Sequence, residues 1–156
     1  MECYEGAPMI KTFRGLIVDG AEDTIVLHTN DGSTGYRIVK FRTIAAAPGS
    51  TDSVNVTKIY KVPQSSIVAT IDFSDQTLLG VSINTGPTNF DFGLDEHVAF
   101  DQEIFNQDIY ISQKDVKTGE SINYYLELEQ VKLDMGENTV ATLKDIRNKA
   151  VRTLTT

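Results

Sequence analysis

Apolar and polar positions alternate along most of this chain, and the longest such stretch runs from Ile104 to Leu133. In its second half Ile122, Tyr124, Leu126 and Leu128 fall on one parity, with Asn123, Tyr125, Glu127 and Glu129 on the other. That is the period of a strand with one face buried and one wet. In its first half Ile109 and Ile111 oppose Tyr110 and Ser112. A short polar connection containing Gly119 joins the halves, which predicts a long antiparallel hairpin at the centre of a sheet. The apolar parity then switches, from Leu128 to Val131 and Leu133, and predicts a bulge near Glu129 and Gln130.

The same period recurs upstream. IKTFRGLIV (10–18) reads as a strand interrupted at Gly15, by a bulge or a close backbone approach. Further strands are predicted over Thr24–His28, Gly35–Ile44, Ser53–Val62, Ile67–Phe73 and Leu78–Ile83, with a short one over Val98–Phe100. In the strand over Gly35–Ile44, Tyr36, Ile38 and Ile44 share one parity against Val39 and Phe41. Residues 84–96 lack a strand period and read as an excursion loop, where binding or assembly contacts concentrate. After Leu133 the spacing changes: Val140, Leu143, Ile146 and Ala150 form a helical stripe behind Asn138, a plausible N-cap. Eight or nine short strands followed by one helix predict an all-β fold. Its expected form is a two-sheet antiparallel sandwich of jelly-roll type with a short C-terminal helix. The expected organisation is an N-terminal arm (1–9), a β-sandwich domain (10–136) and a C-terminal helix and tail (137–156).

Composition narrows the class. With 156 residues, 40% of them hydrophobic and 23% charged, the chain fits one globular domain. No apolar run approaches ~18 residues, and the start MECYEGAPMIK has neither the basic opening nor the apolar core of a secretory leader. The single cysteine, Cys3, excludes an internal disulfide framework. The net charge of −8 is uneven. Residues 137–156 hold Lys144, Arg147, Lys149 and Arg152 against Glu137 and Asp145, net +2, which leaves −10 on the rest. An acidic body is a poor match for phosphate backbones, so nucleic acid is not an expected partner.

Catalytic signals are thin. His28 and His97 are far apart, neither lies at a metal-ligand spacing, and both read as strand-end polar residues. No nucleophile elbow, P-loop or H-E-x-x-H occurs. Asp91, Asp95, Glu96 and Asp101 read as solvated acids, with a calcium site as the alternative; their spacing matches no EF-hand loop. Asn55-Val56-Thr57 matches a glycosylation acceptor, read as a chance match within a strand. No enzyme activity, catalytic residue, metal or cofactor is expected. Phe90 and Phe92, with Leu94 beside them, either plug the end of the core or dock on a neighbouring subunit. The terminal helix lies either on its own sandwich, against the end of the sheet below Leu133, or on a neighbouring subunit, whose acidic surface would suit Lys144, Arg147, Lys149 and Arg152; the charge asymmetry favours the second.

Three stretches carry a resemblance: RGLIVDGAEDTIVLHTNDGSTGYRIVKFRTI (14–44), DQEIFNQDIYISQKD (101–115) and NYYLELEQVKL (123–133), followed by Leu143-Lys144-Asp145-Ile146-Arg147. In this order they resemble a group of small uncharacterised structural proteins of marine bacterial viruses. The resemblance spans about residues 10 to 150 and consists of strand and turn text, with no catalytic motif. It implies a virion structural protein, a capsid or capsid-associated subunit (cement, decoration or minor capsid) that assembles with itself and other virion proteins. Its implied location is the virion, assembled in the host cytoplasm. The alternative is a ligand-binding β-sandwich, such as a carbohydrate- or receptor-binding module.

Overall fold

The structure is a computed structural model, and it describes residues 9–28, 32–48, 52–86, 95–100, 102–134, 136 and 142. Eight strands follow one another: β1 (Met9–Ile17), β2 (Glu22–Ile25), β3 (Thr34–Ala45), β4 (Val54–Tyr60), β5 (Leu78–Thr85), β6 (Asp95–Ala99), β7 (Ile109–Asp115) and β8 (Ile122–Lys132). They form two antiparallel sheets, one of three strands in the order β1-β8-β3 and one of five in the order β2-β7-β4-β5-β6. The chain is all-β over these elements, as the alternation predicts. The helix expected from Asn138 to about Ala150 lies outside the described residues except at Thr142.

The sheets share one apolar core. Ile122, Tyr124, Leu126 and Leu128 of β8, with Tyr36, Ile38 and Phe41 of β3 beside them, share one cluster with Ile59 of β4, Leu79 of β5, and Ile109 and Ile111 of β7. Burying each such side chain contributes roughly 1.5–3 kcal/mol, so this layer dominates stability. A second cluster lies on the outer face of the large sheet, where Val56, Tyr60, Leu78 and Val81 are covered by Ala69 and Ile71. Residues 61–77 therefore lie across that face. Lys58 helps hold them, its Nζ donating to Thr70 O at 2.6 Å. Ile67–Phe73 is thus not a strand. Its alternation is real, with odd positions from Ile67 to Ile71 turned inward, but it packs on a sheet face and has no ladder partner.

The predicted hairpin over 104–133 is corrected too. β7 and β8 do not pair: β7 lies between β2 and β4, and β8 between β1 and β3. The connection between them is an arch that carries the chain from one sheet to the other. A second arch, between β1 and β2, lies against it. Gly20 N donates to Gln113 O at 2.9 Å, and Asp115 N donates to Asp19 Oδ1 at 2.8 Å. Gly20 and Gly119 take positive φ values of 75° and 73° in the two arches, a conformation that disfavours a Cβ.

Asp115 organises this end of the molecule. Its carboxylate accepts from Val54 N (3.2 Å), Lys117 N (2.9 Å), Thr118 Oγ1 (2.9 Å) and Glu120 N (2.8 Å). Gln113 Nε2 ties the arches together, donating to Ile17 O and to Glu120 O. Burial alone would raise the Asp115 pKa, but the donors from Lys117, Glu120, Thr118 and Val54 outweigh it and hold the value at about 2.

The bulge expected near Glu129 and Gln130 of β8 is not there; the bulge of this sheet lies in β3. The β3–β8 register shifts between Ile38 and Lys40, so Val39 is the extra residue, while β8 runs in unbroken register with β1 through Gln130. The bulge moves the buried parity of β3 from even (Tyr36, Ile38) to odd (Phe41, Thr43, Ala45), which leaves Ile44 outside. Gly15 shows the close approach expected of it, without a bulge: a Cβ there would lie 2.8 Å from the Tyr124 ring. Residues 84–96 are not one loop, because β5 continues to Thr85 and β6 begins at Asp95.

Candidate functional site

The two sheets differ in what covers them. Residues 61–77 cover much of the outer face of the large sheet, while no described segment packs over the outer face of the small sheet. That bare face is built in rows by the strand registers. Leu16, Asn123 and Ile44 form one row, followed by Arg14, Tyr125 and Arg42, then Thr12, Glu127 and Lys40, then Ile10, Glu129 and Arg37. Leu16 is 54% exposed, Ile44 63% and Ile10 45%.

Several polar side chains of this face pair within it. Arg37 Nε is in contact with Glu129 Oε2. Tyr125 donates its hydroxyl to Glu127 Oε1 at 2.6 Å, and Lys40 Nζ lies 5.9 Å from the Tyr125 ring centroid. The Glu127 hydrogen bond raises the Tyr125 pKa, with smaller contributions from burial and charge. Arg37 of β3 thus meets Glu129 of β8 and Lys40 lies beside the Tyr125 ring, while the exposed apolar side chains of this face are Leu16, Ile44, Ile10 and the bulged Val39. The edge of β1 continues it. No described strand pairs with β1 on the side away from β8.

A cleft of about 340 Å³ lies elsewhere, at the far end of the large sheet. Phe73 and Phe100 wall it, edge to face at 5.5 Å, with Gln76, Gln102, Asp75 and Glu103 around the mouth. Glu103 also pairs with Lys61, whose side chain is only 2% exposed. Asp75 is turned toward its own loop, accepting from Thr77 N at 2.9 Å and Thr77 Oγ1 at 2.6 Å.

Both histidines have polar neighbours. His28 Nδ1 lies 2.7 Å from Asp108 Oδ1, which also accepts from Leu27 N and His28 N. Burial pushes the Asp108 pKa up, but these donors and the His28 ring bring it below the usual carboxylate value. His97 meets Arg42, its Nδ1 2.6 Å from Nη1, where β6 passes beside β3. Among the described residues no three His, Cys, Asp or Glu side chains gather at metal-binding distance. Asn55 is fully buried, so its amide is closed to glycosylation in the folded chain.

Phe90, Phe92, Leu94, Lys144, Arg147, Lys149 and Arg152, the assembly candidates from sequence, lie outside the described residues, as do Asp91 and Asp101. Thr142 is the described residue of the segment 137–156, and its Oγ1 lies 2.7 Å from Asn106 Nδ2. The exposed apolar row positions on β1 and β3 were missed. A usable signal was present, because IKTFRGLIV carries apolar residues on both parities, more than one covered face needs. No known family model matches the chain, and a search of curated proteins finds no match.

Proposed function

We propose that this chain is a virion structural protein, a capsid or capsid-associated subunit that assembles through symmetric protein–protein contacts. The observation that carries the assembly reading is the bare outer face of β1-β8-β3, with its exposed Ile10, Leu16, Val39 and Ile44. Leu16 and Ile44 share one row, Ile10 and Val39 lie toward the other end with polar rows between, and this exposed apolar area on an uncovered sheet face supports an interaction site. The opposite face needs no partner where the chain's own residues 61–77 cover it.

The strand order supports a jelly-roll winding. Strands one, eight and three form one sheet, and two, seven, four and five form the other. In a jelly roll of two four-stranded sheets, the sixth strand completes the first sheet beside the third. Here β6 instead pairs with β5, and Arg42 of β3 contacts His97 of β6. Jelly rolls build virus shells and also lectins and cupins, so the winding alone does not select a function. Among these the resemblance of residues 14–44, 101–115 and 123–133 to viral structural proteins favours the shell subunit.

The test is native mass spectrometry with electron microscopy of the purified full-length chain. Discrete multiples of 17.2 kDa, forming rings or shells alone or on viral particles, are expected. A chain that stays monomeric at micromolar concentration and fails to bind particles refutes the proposal.

The cleft favours a second reading, ligand binding. An exposed aromatic wall beside amides and carboxylates suits the alternating apolar and hydroxylated faces of a saccharide. Binding of a glycan, lost on Phe73→Ala and accompanied by a monomeric mass, would establish this reading in place of the first.

A further inference from the structure

Resting on the assembly reading, we propose that β1 is a self-complementary docking edge. Two copies of the chain pair their β1 strands antiparallel about a two-fold axis at Phe13, joining two three-stranded sheets into one of six strands.

The first ground is the edge itself. β1 is nine residues long, pairs with β8 without a register shift, and contains no proline. Every second residue of such a strand directs its N–H and C=O away from its partner, which makes a straight edge a template for another strand. The other edges are less suited to this. β2 has four residues and β6 five, while β3 is bulged at Val39 and has β6 beside it.

The second ground is the register. A two-fold axis at Phe13 sets Ile10 against Leu16 of the second copy on the outer face, and this happens twice. On the inner side it sets Met9 against Ile17 and Phe13 against Phe13, while Lys11 meets Gly15, so no like charges are opposed. Exposed apolar side chains are thereby covered on the bare face. Shifting the axis to Arg14 would oppose Arg14 to itself. Shifting it to Thr12 would place Ile10 against Arg14 and leave Leu16 beyond the end of the paired strand. A two-fold relation between antiparallel strands passes through directly opposed residues, so these are the neighbouring choices.

The third ground is charge. In the Phe13 register Arg14 faces Thr12 of the second copy. Beyond that small side chain, in the same row, stands that copy's Glu127. A cation on each edge is thus aimed along the row at the other copy's carboxylate, which gives the contact direction as well as area.

Cross-linking tests the register. In a Cys3→Ser background, Ile10→Cys and Leu16→Cys are made as separate proteins. Opposed residues in an antiparallel pair have Cα atoms about 4.5–5.5 Å apart, within disulfide reach. Two copies of the same position would be six residues apart along the strands, about 20 Å. Mild oxidation of the mixture is therefore expected to give a cross-linked dimer, and oxidation of either protein alone is not. The full-length Ile10→Lys/Leu16→Lys variant, folded by circular dichroism, is expected to dimerise about thirtyfold more weakly in sedimentation, because two apolar pairs become like-charge pairs. Absence of cross-linking in the mixture overturns the proposal. So does a Lys variant that dimerises normally while the wild type forms larger species, a result that would leave the assembly reading standing. A wild-type chain that is monomeric throughout overturns both.

Discussion

Replacing Asp115 by Asn should destabilise the protein by about 2 kcal/mol, and the loss should depend on pH in a defined direction. The carboxyl is 4% exposed and sits at about 2, against an ordinary 3.8. Each pKa unit is worth about 1.4 kcal/mol, so ionisation of this one group contributes roughly 2 kcal/mol near neutral pH. Asn is the uncharged mimic. It keeps one acceptor oxygen but presents an NH2 group to donors of Thr118 and Glu120. The folded pKa lies below the unfolded one, so the unfolded chain takes up the proton first as pH falls. The contribution is present in full above about pH 4 and is lost as pH falls toward 2. Urea unfolding of both proteins from pH 7 to pH 2 measures this. The gap between them should be about 2 kcal/mol at pH 7 and should narrow below pH 4. The other carboxylates titrate in both proteins and cancel in the difference. A gap under about 0.5 kcal/mol at neutral pH, or one that stays constant into acid, would refute the reasoning.

Gly15→Ala should cost about 1–3 kcal/mol in thermal unfolding, because the added Cβ meets the Tyr124 ring at 2.8 Å; a neutral result would show that the ring can move aside. Glu103→Gln should cost about 3 kcal/mol, since it withdraws the carboxylate from the buried Lys61 ammonium, while Lys61→Met/Glu103→Gln should recover part of that loss in the same urea assay. Ile59→Ala, which empties a fully buried site between the sheets, should cost about 2–5 kcal/mol, and a loss below 1 kcal/mol would place Ile59 outside the main core.

Much of the β structure was legible because alternation reports burial of one face, as in β3 and β8, whereas β4 and β5 are buried on both faces and read as apolar-rich runs. Alternation does not report which strand lies alongside. The 104–133 run shows this: Ile109, Ile111, Ile122 and Leu126 all face one core, but from opposite sides of it. The VKTGE connection, with Gly119 at positive φ, suits an arch between sheets as well as a hairpin turn. The difference lies in Asp115, which accepts from Val54 N at the start of β4, a contact too remote in sequence for a local pattern to reveal. Val39 teaches the same point, since an extra residue changes parity in whichever strand carries it and a partner's parity cannot locate it. Ile67–Phe73 shows that extended chain on a sheet face keeps the period of a strand. The candidate surface was half legible. Tyr125 falls on the wet parity of its strand, and the two apolar parities of IKTFRGLIV hint at a second apolar face, but nothing in sequence marks β1 as an edge.

The order β1-β8-β3 has a consequence for synthesis. Met9 pairs with Gln130, so the first strand made must wait for the last. β3 also borders only β8 within its sheet, which means that no two strands of the small sheet can begin to pair until Ile122 has left the ribosome, or complete their pairing before Lys132 has. The large sheet has no such delay for β4, β5 and β6. A nascent chain can therefore begin its core while its outward apolar face does not yet exist. Neighbouring chains growing on one messenger would find no finished surface to join, and association would be restricted to molecules that have completed their own fold.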